Sequence, residues 1–369
     1  MSAVLIAAAS GRALAASAKR AGFRPLVADW FGDQDTRAAA ARVAILPDGL
    51  REGMREHTLV PALEDLAAGA DPVALVCGSG FEDRPGLVAM LARQWPLRGN
   101  GAAVLRRVKD PLSFAALCAK ADIPHPPVAL TQPADPDRWL VKRIGGAGGT
   151  HVMPATAHGG GDGFYFQRRC AGQALSALFL ADGRDARVVG FSRQWALPTG
   201  GQRFRYGGAV TVDPDPPLAP HIAQAIARLT AASGLVGLNS ADLLVDGDAF
   251  HLLEVNPRPG ATLDIFEPEH GPSLFALHLS ACDGTLPDAL PPRRGAAASA
   301  IVYADRDFGA VTRRDWPDWT TDRPWPGVVV KAGDPLCTVI ARAADADAAR
   351  AEAEARAARI LAALEPVPS

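Results

Sequence analysis

From Ser2 to about Leu97 the chain alternates between short apolar runs and alanine-rich stretches of helical length. Val4 to Ala8 is apolar, Arg12 to Ala21 has a helical composition, Pro25 to Ala28 is apolar again, and the pattern continues to Val73 to Cys77. Strand-length runs separated by helix-length segments predict β-α-β-α units. Such units build a parallel sheet with crossover helices, here an open doubly wound domain whose ligands gather at the carboxyl ends of its strands. Two of those ends carry turn residues, Ala9-Ser10-Gly11-Arg12 and Cys77-Gly78-Ser79-Gly80-Phe81-Glu82. Gly11 lacks the following G-x-x-G of a dinucleotide fingerprint, so a nicotinamide oxidoreductase reading rests on one tight-turn glycine.

At 369 residues the chain has room for two or three compact units. The prolines of Ile123-Pro124-His125-Pro126-Pro127 mark a linker after a helix over Leu112 to Ala121. A strand over Trp139 to Ile144 then runs into Gly145-Gly146-Ala147-Gly148-Gly149-Thr150, a loop whose backbone amides are free to approach a ligand. Further strands are expected over Gly163 to Arg169, Ala174 to Leu180, Ala186 to Trp195 and Ala209 to Val212, with a helix over Pro220 to Ala232. Beyond residue 296 come a strand at Ala298 to Tyr303, a Trp/Pro-rich section from Trp316 to Gly327, a strand near Leu336 to Ala341 and a final helix over Ala346 to Leu364.

The net charge of −2 gives no basic excess for a phosphate backbone, so nucleic acid is not expected as a partner. Met1 to Ala9 is too short to span a bilayer and reads as a buried strand, so no membrane is expected either. Cys77, Cys118, Cys170, Cys282 and Cys337 are odd in number, far apart and without a C-x-x-C pair, which fits packing residues in a reducing cytoplasm.

The residues richest in chemistry lie on a predicted hairpin, Asn239 to Val245 and Ala249 to Val255, around the turn Asp246-Gly247-Asp248. Asp242 and Glu254 share sequence parity, which predicts one face for both; Asn256 follows on that face, with Arg258 two residues further on. Hard magnesium ions take oxygen donors from one or two carboxylates and complete their shell with phosphate. Arg258 adds a planar guanidinium suited to the charge of a transferring phosphoryl group or an acyl phosphate. Taken alone, the same residues describe a solvated surface hairpin.

Leu252-Leu253-Glu254-Val255-Asn256-Pro257-Arg258, with Asp242 before it, resembles the metal-binding signature of the ATP-grasp superfamily. The resemblance extends upstream in order through Val141-Lys142-Arg143, the glycine loop and Phe166-Gln167-Arg168-Arg169-Cys170-Ala171-Gly172, covering about residues 1 to 290. It implies an α/β chain with the ATP-grasp fold: an N-terminal open parallel-sheet (pre-ATP-grasp) domain over 1–97, α+β ATP-grasp domains over 98–295 with a lid subdomain at about 128–170, and a small C-terminal α+β appendage over 296–369. It further implies ATP and Mg2+, two ions, as cofactors, with Asp242, Glu254 and Asn256 as metal ligands and Arg258 and Lys142 as catalytic residues.

In that reading Lys109 and Lys142 touch nucleotide phosphate, Gly145, Gly146, Gly148 and Gly149 close over it, and Gln167, Arg168, Arg169 and Cys170 present backbone to the adenine edge. Asp110-Pro111 departs from the family's register, leaving Arg106 or Arg107 as alternatives to Lys109, and Gln167 stands where relatives often have glutamate. Arg193, Arg203, Tyr206 and Gly207 look like the acceptor side of the site. The ending, with Ile301-Val302-Tyr303-Ala304, Trp316-Pro317-Asp318-Trp319 and Gly333-Asp334-Pro335-Leu336-Cys337, resembles a carboligase-like branch distantly related to biotin carboxylase and tyramine-glutamate ligase.

The implied activity is a carboxylate-amine ligase that forms an acyl phosphate, with glutamate addition in methanofuran- or tetrahydromethanopterin-type cofactor synthesis as the leading case. A bicarbonate-using carboxylase is the second reading, although no biotinyl-lysine motif occurs, and a non-catalytic nucleotide-binding module is a third. The expected partners are small-molecule carboxylate and amine substrates, with a homodimer as an assembly common among such enzymes.

Overall fold

The computed structural model describes residues 1–215, 217–311 and 315–364. The first unit contains β1 (Ala3–Ala7), α1 (Arg12–Arg20), β2 (Arg24–Asp29), α2 (Gln34–Ala39), β3 (Arg42–Ile45), α3 (Gly49–Glu52), α4 (Glu56–Ala67), β4 (Ala74–Cys77) and α5 (Pro85–Gln94). Its sheet is parallel throughout, in the order β3-β2-β1-β4. Every residue of β1 is buried because both faces are covered: Val4 and Ile6 pack into one cluster, and Ala3, Leu5 and Ala7 into another. The Gly11 amide donates to Asp29 Oδ2 at 3.0 Å, and a Cβ at Gly11 would stand 2.4 Å from Val27 Cγ1. That glycine is held by close packing inside the domain.

The second unit begins with α6 (Ala102–Lys109) and α7 (Pro111–Lys120) and continues as β5 (Val128–Ala129), β6 (Trp139–Arg143), β7 (Val152–Pro154) and β8 (Phe164–Arg168). These strands form a small antiparallel sheet, β5-β8-β6-β7, over a core of Val141, Ala155 and Phe166. Asp110 explains the break in register noted in the sequence. Its carboxylate caps α7 by accepting from the Ser113 amide at 2.8 Å, and Pro111 occupies the first turn, so Lys109 ends α6 at the elbow between two helices.

The third unit is built on β9 (Gln173–Asp182), β10 (Ala186–Ala196), β11 (Tyr206–Val212), α8 (Leu218–Ser233), β12 (Val236–Asp246), β13 (Ala249–Asn256), α9 (Leu263–Phe266) and α10 (Leu274–Cys282). It continues through β14 (Ala296–Tyr303), β15 (Phe308–Ala310), β16 (Thr320–Thr321), β17 (Val329–Val330), β18 (Pro335–Ala343) and α11 (Ala346–Ala363). Eight of these strands form one antiparallel sheet in the order β13-β12-β9-β10-β11-β14-β18-β16. Strand alternation divides its residues between two faces. Leu178, Leu180, Ala209 and Leu238 pack with the first unit, whereas Ala177, Phe179, Ala241 and Leu243 pack with α7 and α8.

The section after residue 296 is continuous with this sheet, because β14 pairs with β11 at Gly208↔Ala300 and β18 pairs along β14. Its Asp322 to Trp325 stretch also straps the first unit. Asp322 accepts from Arg12, Arg323 pairs with Asp35, the Arg323 carbonyl accepts from the Gln34 amide at 2.9 Å, and Arg37 stacks on Trp325. Among the described residues no helix is long and apolar enough to cross a membrane, and none of the five cysteines forms a disulfide.

Candidate active site

Asp242 and Glu254 are direct cross-strand partners on β12 and β13. They arrive there by a different route from sequence parity. The hairpin turn has two residues, Gly247 and Asp248, so Asp246 pairs with Ala249 and Leu243 with Leu252. Continued without interruption, that register would set Leu253 against Asp242. A bulge at Leu253 adds the extra residue, and Glu254 comes opposite Asp242 instead. Leu253 and Glu254 both line one cavity as a result.

Around the two carboxylates stand polar partners from four elements. Asn256 Nδ2 donates to Asp242 Oδ2 at 3.0 Å, and Gln194 Nε2 donates to Asp242 Oδ1 at 3.2 Å. Lys109 Nζ lies 3.7 Å from Glu254 Oε2, donates to the Val255 carbonyl at 3.1 Å and stands 3.4 Å from Asn256 Oδ1. The structure thus brings Lys109 to the site despite the shifted register, and Arg107 instead bonds the Ser233 carbonyl. Lys142, on β6, is buried at 7% exposure and faces both carboxylates.

Burial pushes Asp242 up to about 6, and the Glu254 charge adds to the rise. Glu254 bears the same cost of burial, but Lys109 and Lys142 outweigh it and hold its carboxyl below the ordinary range. Lys142 is pushed down by burial, against the pull of Glu254 and Asp242. Two facing carboxylates with one forced toward its neutral form make a place where a cation relieves repulsion. Among the described residues no group of three or more His, Cys, Asp and Glu converges. Two carboxylates plus the Asn256 amide suit Mg2+, whose remaining ligands are water and phosphate oxygens, rather than a closed protein cage.

Arg258 is seated from the first unit. Glu82 Oε1 accepts from Arg258 Nε at 2.7 Å, and Glu82 Oε2 accepts from the Gly80 amide at 2.8 Å. Burial opposes the Glu82 charge, but Arg258 and Lys109 keep its carboxyl below the ordinary range. The sequence places Glu82 in a strand-end turn that could line the crevice, but carries no signal of its pairing with Arg258.

The glycine loop is folded down onto two neighbours. The Tyr206 amide donates to the Gly148 carbonyl at 3.0 Å, and a Cβ at Gly149 would stand 1.8 Å from the Phe204 carbonyl oxygen. On its other side a Cβ at Gly145 would stand 2.8 Å from Asp83 Cα. Gly145, Gly148 and Gly149 have φ of 70°, 71° and 74°, a region that glycine enters without strain. His151 follows the loop within electrostatic reach of Glu254, Lys142 and Lys109; burial pushes its pKa down. It too was missed, because a single histidine beside a glycine run has many bland explanations.

Other expected residues fall differently. Gln167 is 2% exposed and its amide donates to the Leu253 carbonyl at 3.2 Å, a tie from lid to hairpin that a glutamate could not make. The amides of Arg168 and Arg169 donate to the carbonyls of Pro127 and Arg138, so neither is open to a ligand, and both side chains are exposed. Cys170 approaches the Arg168 carbonyl at 3.9 Å. Tyr206 and Gly207 sit on β11 beside the lid contact, and Arg203 is exposed on the preceding hairpin. Arg193 does not face the site: it neighbours Gln194 on β10, so alternation turns it to the opposite face, where it pairs with Asp347 of α11.

The cavity beside Glu254 is bounded by Lys109, Phe114, His125, Gly145, Gln167 and Leu253. A small sheet with a glycine flap is thus folded over a larger sheet that offers paired carboxylates, in a mixed α/β protein. Residues 111–262 match the family model described as an ATP-grasp domain, which is consistent with a distant ATP-grasp superfamily member.

Solved structures share the fold across nearly the whole chain. Biotin carboxylase from Campylobacter jejuni, in a β-γ-ATP complex, superposes with a TM-score of 0.71 at 16% identity, covering 95% of this chain and 89% of that one. The biotin carboxylase domain of 2-oxoglutarate carboxylase from Hydrogenobacter thermophilus, with MgADP, ADP and bicarbonate, gives 0.74 at 12% identity, covering 98% and 90%. Pyruvate carboxylase from Rhizobium etli gives 0.71 at 17% identity, covering 95% of this chain and 36% of that one. A sequence comparison with curated proteins finds no match. The ATP-grasp domain match supports an ATP-dependent enzyme, and the structural neighbours share its fold.

Proposed function

We propose that the protein is an ATP- and Mg2+-dependent ligase that activates a carboxylate as an acyl phosphate and joins it to an amine, releasing ADP and phosphate. The observation that carries this reading is the Asp242–Glu254 pair, set face to face by the Leu253 bulge at the edge of a cavity closed by the glycine loop. Asp242, Glu254 and Asn256 would hold the metal, which when bound neutralises the polyphosphate and orients its terminal phosphoryl group. Lys109 and Lys142 place two further cations beside the same carboxylates, where they would meet phosphate oxygens. Glu82 holds the Nε side of Arg258 and the Pro259 carbonyl accepts from its Nη1 at 3.5 Å, which fixes the guanidinium where it would meet charge that develops on the transferring group.

The closed flap would keep water from the acyl phosphate until the amine arrives. These residues supply positioning and charge neutralisation, and no side chain is required as a covalent nucleophile. Glutamate as the carboxylate, added during synthesis of a methanofuran- or tetrahydromethanopterin-type cofactor, is the narrower form of this reading and rests on resemblance alone.

A bicarbonate-using carboxylase is the second reading, favoured by the biotin carboxylase fold of the structural neighbours. Phosphate release, assayed with MgATP across a panel of carboxylates and amines and with bicarbonate alone, separates the two. The ligase reading expects release that needs both an organic carboxylate and an amine. Release driven by bicarbonate alone would favour the carboxylase, and none above background under any condition would favour a binding module.

A further inference from the structure

The cavity beside Glu254 is also lined by a histidine that touches neither carboxylate. His125, from the proline linker, lines it together with Phe114, Val128, Gln167 and Leu253. Its Nδ1 lies 2.7 Å from the Leu252 carbonyl oxygen on β13, and the Leu252 amide in turn donates to the Pro124 carbonyl at 2.8 Å. The ring is therefore fixed against the edge strand, with Phe114 edge-on to it at a centroid distance of 5.2 Å.

A carbonyl oxygen can only accept, so Nδ1 carries the proton and the neutral ring keeps its lone pair on Nε2. Nε2 is buried and has no hydrogen-bond partner. Burial pushes the ring's pKa down, with Lys142 and His251 adding to the fall, which favours the neutral form. A buried acceptor without a donor is costly and calls for an explanation. The one on offer is a donor brought by the ligand. If Glu254 and Lys109 mark the phosphate end of a bound nucleotide, the residues around His125 and Gln167 are left for its base.

We infer that His125 reads the nucleobase, with Nε2 accepting from the amino group of a 6-aminopurine and opposing a 6-oxopurine, whose oxygen would meet it lone pair to lone pair. The inference rests on the nucleotide reading of this cavity and adds a base preference to it. Gln167 cannot supply that preference with its side-chain amide, which is already committed to Leu253.

The test is calorimetric titration of the full-length protein, in Mg2+, with ADP, IDP and purine riboside 5′-diphosphate, the last lacking any group at position 6. Wild type should bind ADP at least about tenfold tighter than purine riboside diphosphate, the size of one net hydrogen bond, and IDP more weakly than either. His125→Phe keeps an aromatic edge against Phe114 and removes both nitrogens. It should shrink the ADP preference by about tenfold through weaker ADP binding, leaving purine riboside diphosphate within about twofold. Equal loss for both ligands is the signature of a structural role and would overturn the inference. So would wild-type binding of ADP and purine riboside diphosphate within about twofold, a comparison that needs no variant. Failure of wild type to bind any of the three would sink the nucleotide reading itself.

Discussion

Glu82 and Arg258 lie 176 residues apart and meet at 2.7 Å across the seam between the first parallel sheet and the hairpin that carries the paired carboxylates. Their side chains are 3% and 14% exposed, so the contact is a buried ion pair that two units complete jointly. Removing one partner from such a pair leaves an uncompensated charge. Glu82→Gln keeps the shape and should lower unfolding stability by about 3 kcal/mol, read from the urea midpoint. A change below about 0.5 kcal/mol would show the pair to be solvent-screened.

Deleting Leu253 tests the bulge. Without that residue the register set by the Gly247-Asp248 turn would run unbroken and still place Glu254 opposite Asp242. The deletion should therefore preserve the fold and the facing carboxylates. It should weaken nucleotide binding by about tenfold, because the cavity loses an apolar wall. Calorimetry with MgADP checks the affinity and far-ultraviolet circular dichroism checks the fold; unchanged affinity would remove Leu253 from the pocket.

Gly149→Ala should stop the flap from seating. The added methyl would collide with the Phe204 carbonyl, and φ of 74° is strained for alanine. Nucleotide affinity should fall by about tenfold, and limited proteolysis should cut near the loop sooner than in wild type. Wild-type cleavage kinetics would mean that the flap does not close on this hairpin.

Asp33 gives a pH dependence far from the carboxylate pair. Burial raises its pKa to about 7 from 3.8, with Asp322 contributing. The unfolded chain releases that proton near its ordinary value while the folded protein keeps it to higher pH. Asp33 therefore costs no stability at acid pH, becomes progressively unfavourable as pH rises toward 7, and levels off above that. Asparagine can also cap α2, where the Asp33 carboxylate now accepts from the Thr36 amide. Asp33→Asn should thus flatten the fall in urea midpoint between roughly pH 4 and pH 7, by an amount on the order of 1–3 kcal/mol. Parallel profiles for variant and wild type would remove Asp33 as the source.

The parallel first sheet was legible because buried strands leave unbroken apolar runs, as in Val4 to Ala8. That Asp242, Glu254 and Asn256 come together was legible because the run Leu252 to Arg258 resembles a signature restricted in residue type and spacing. Face assignment was less so. A one-residue bulge changes which of Leu253 and Glu254 meets Asp242, and nothing local in the sequence marks it. Arg193 was misplaced for the related reason that a strand's two faces cannot be told apart when both carry polar residues. The loop ending in Glu82 was legible as a strand-end turn, but its pairing with Arg258 was not, and His125 and His151 gave no signal, because their partners are distant in the chain. The continuity of β14 and β18 with the main sheet was likewise hidden, since a short apolar strand does not say which edge it will join.

Magnesium dependence of ADP binding tests the central claim most directly. Calorimetric titrations of wild type and Glu254→Gln, each with and without Mg2+, should show wild type gaining at least about tenfold in affinity from the metal and the variant gaining less than about twofold, with metal-free affinities alike. An equal magnesium gain in both proteins would mean that the Asp242–Glu254 hairpin does not hold the metal, and the ligase account would fail with it.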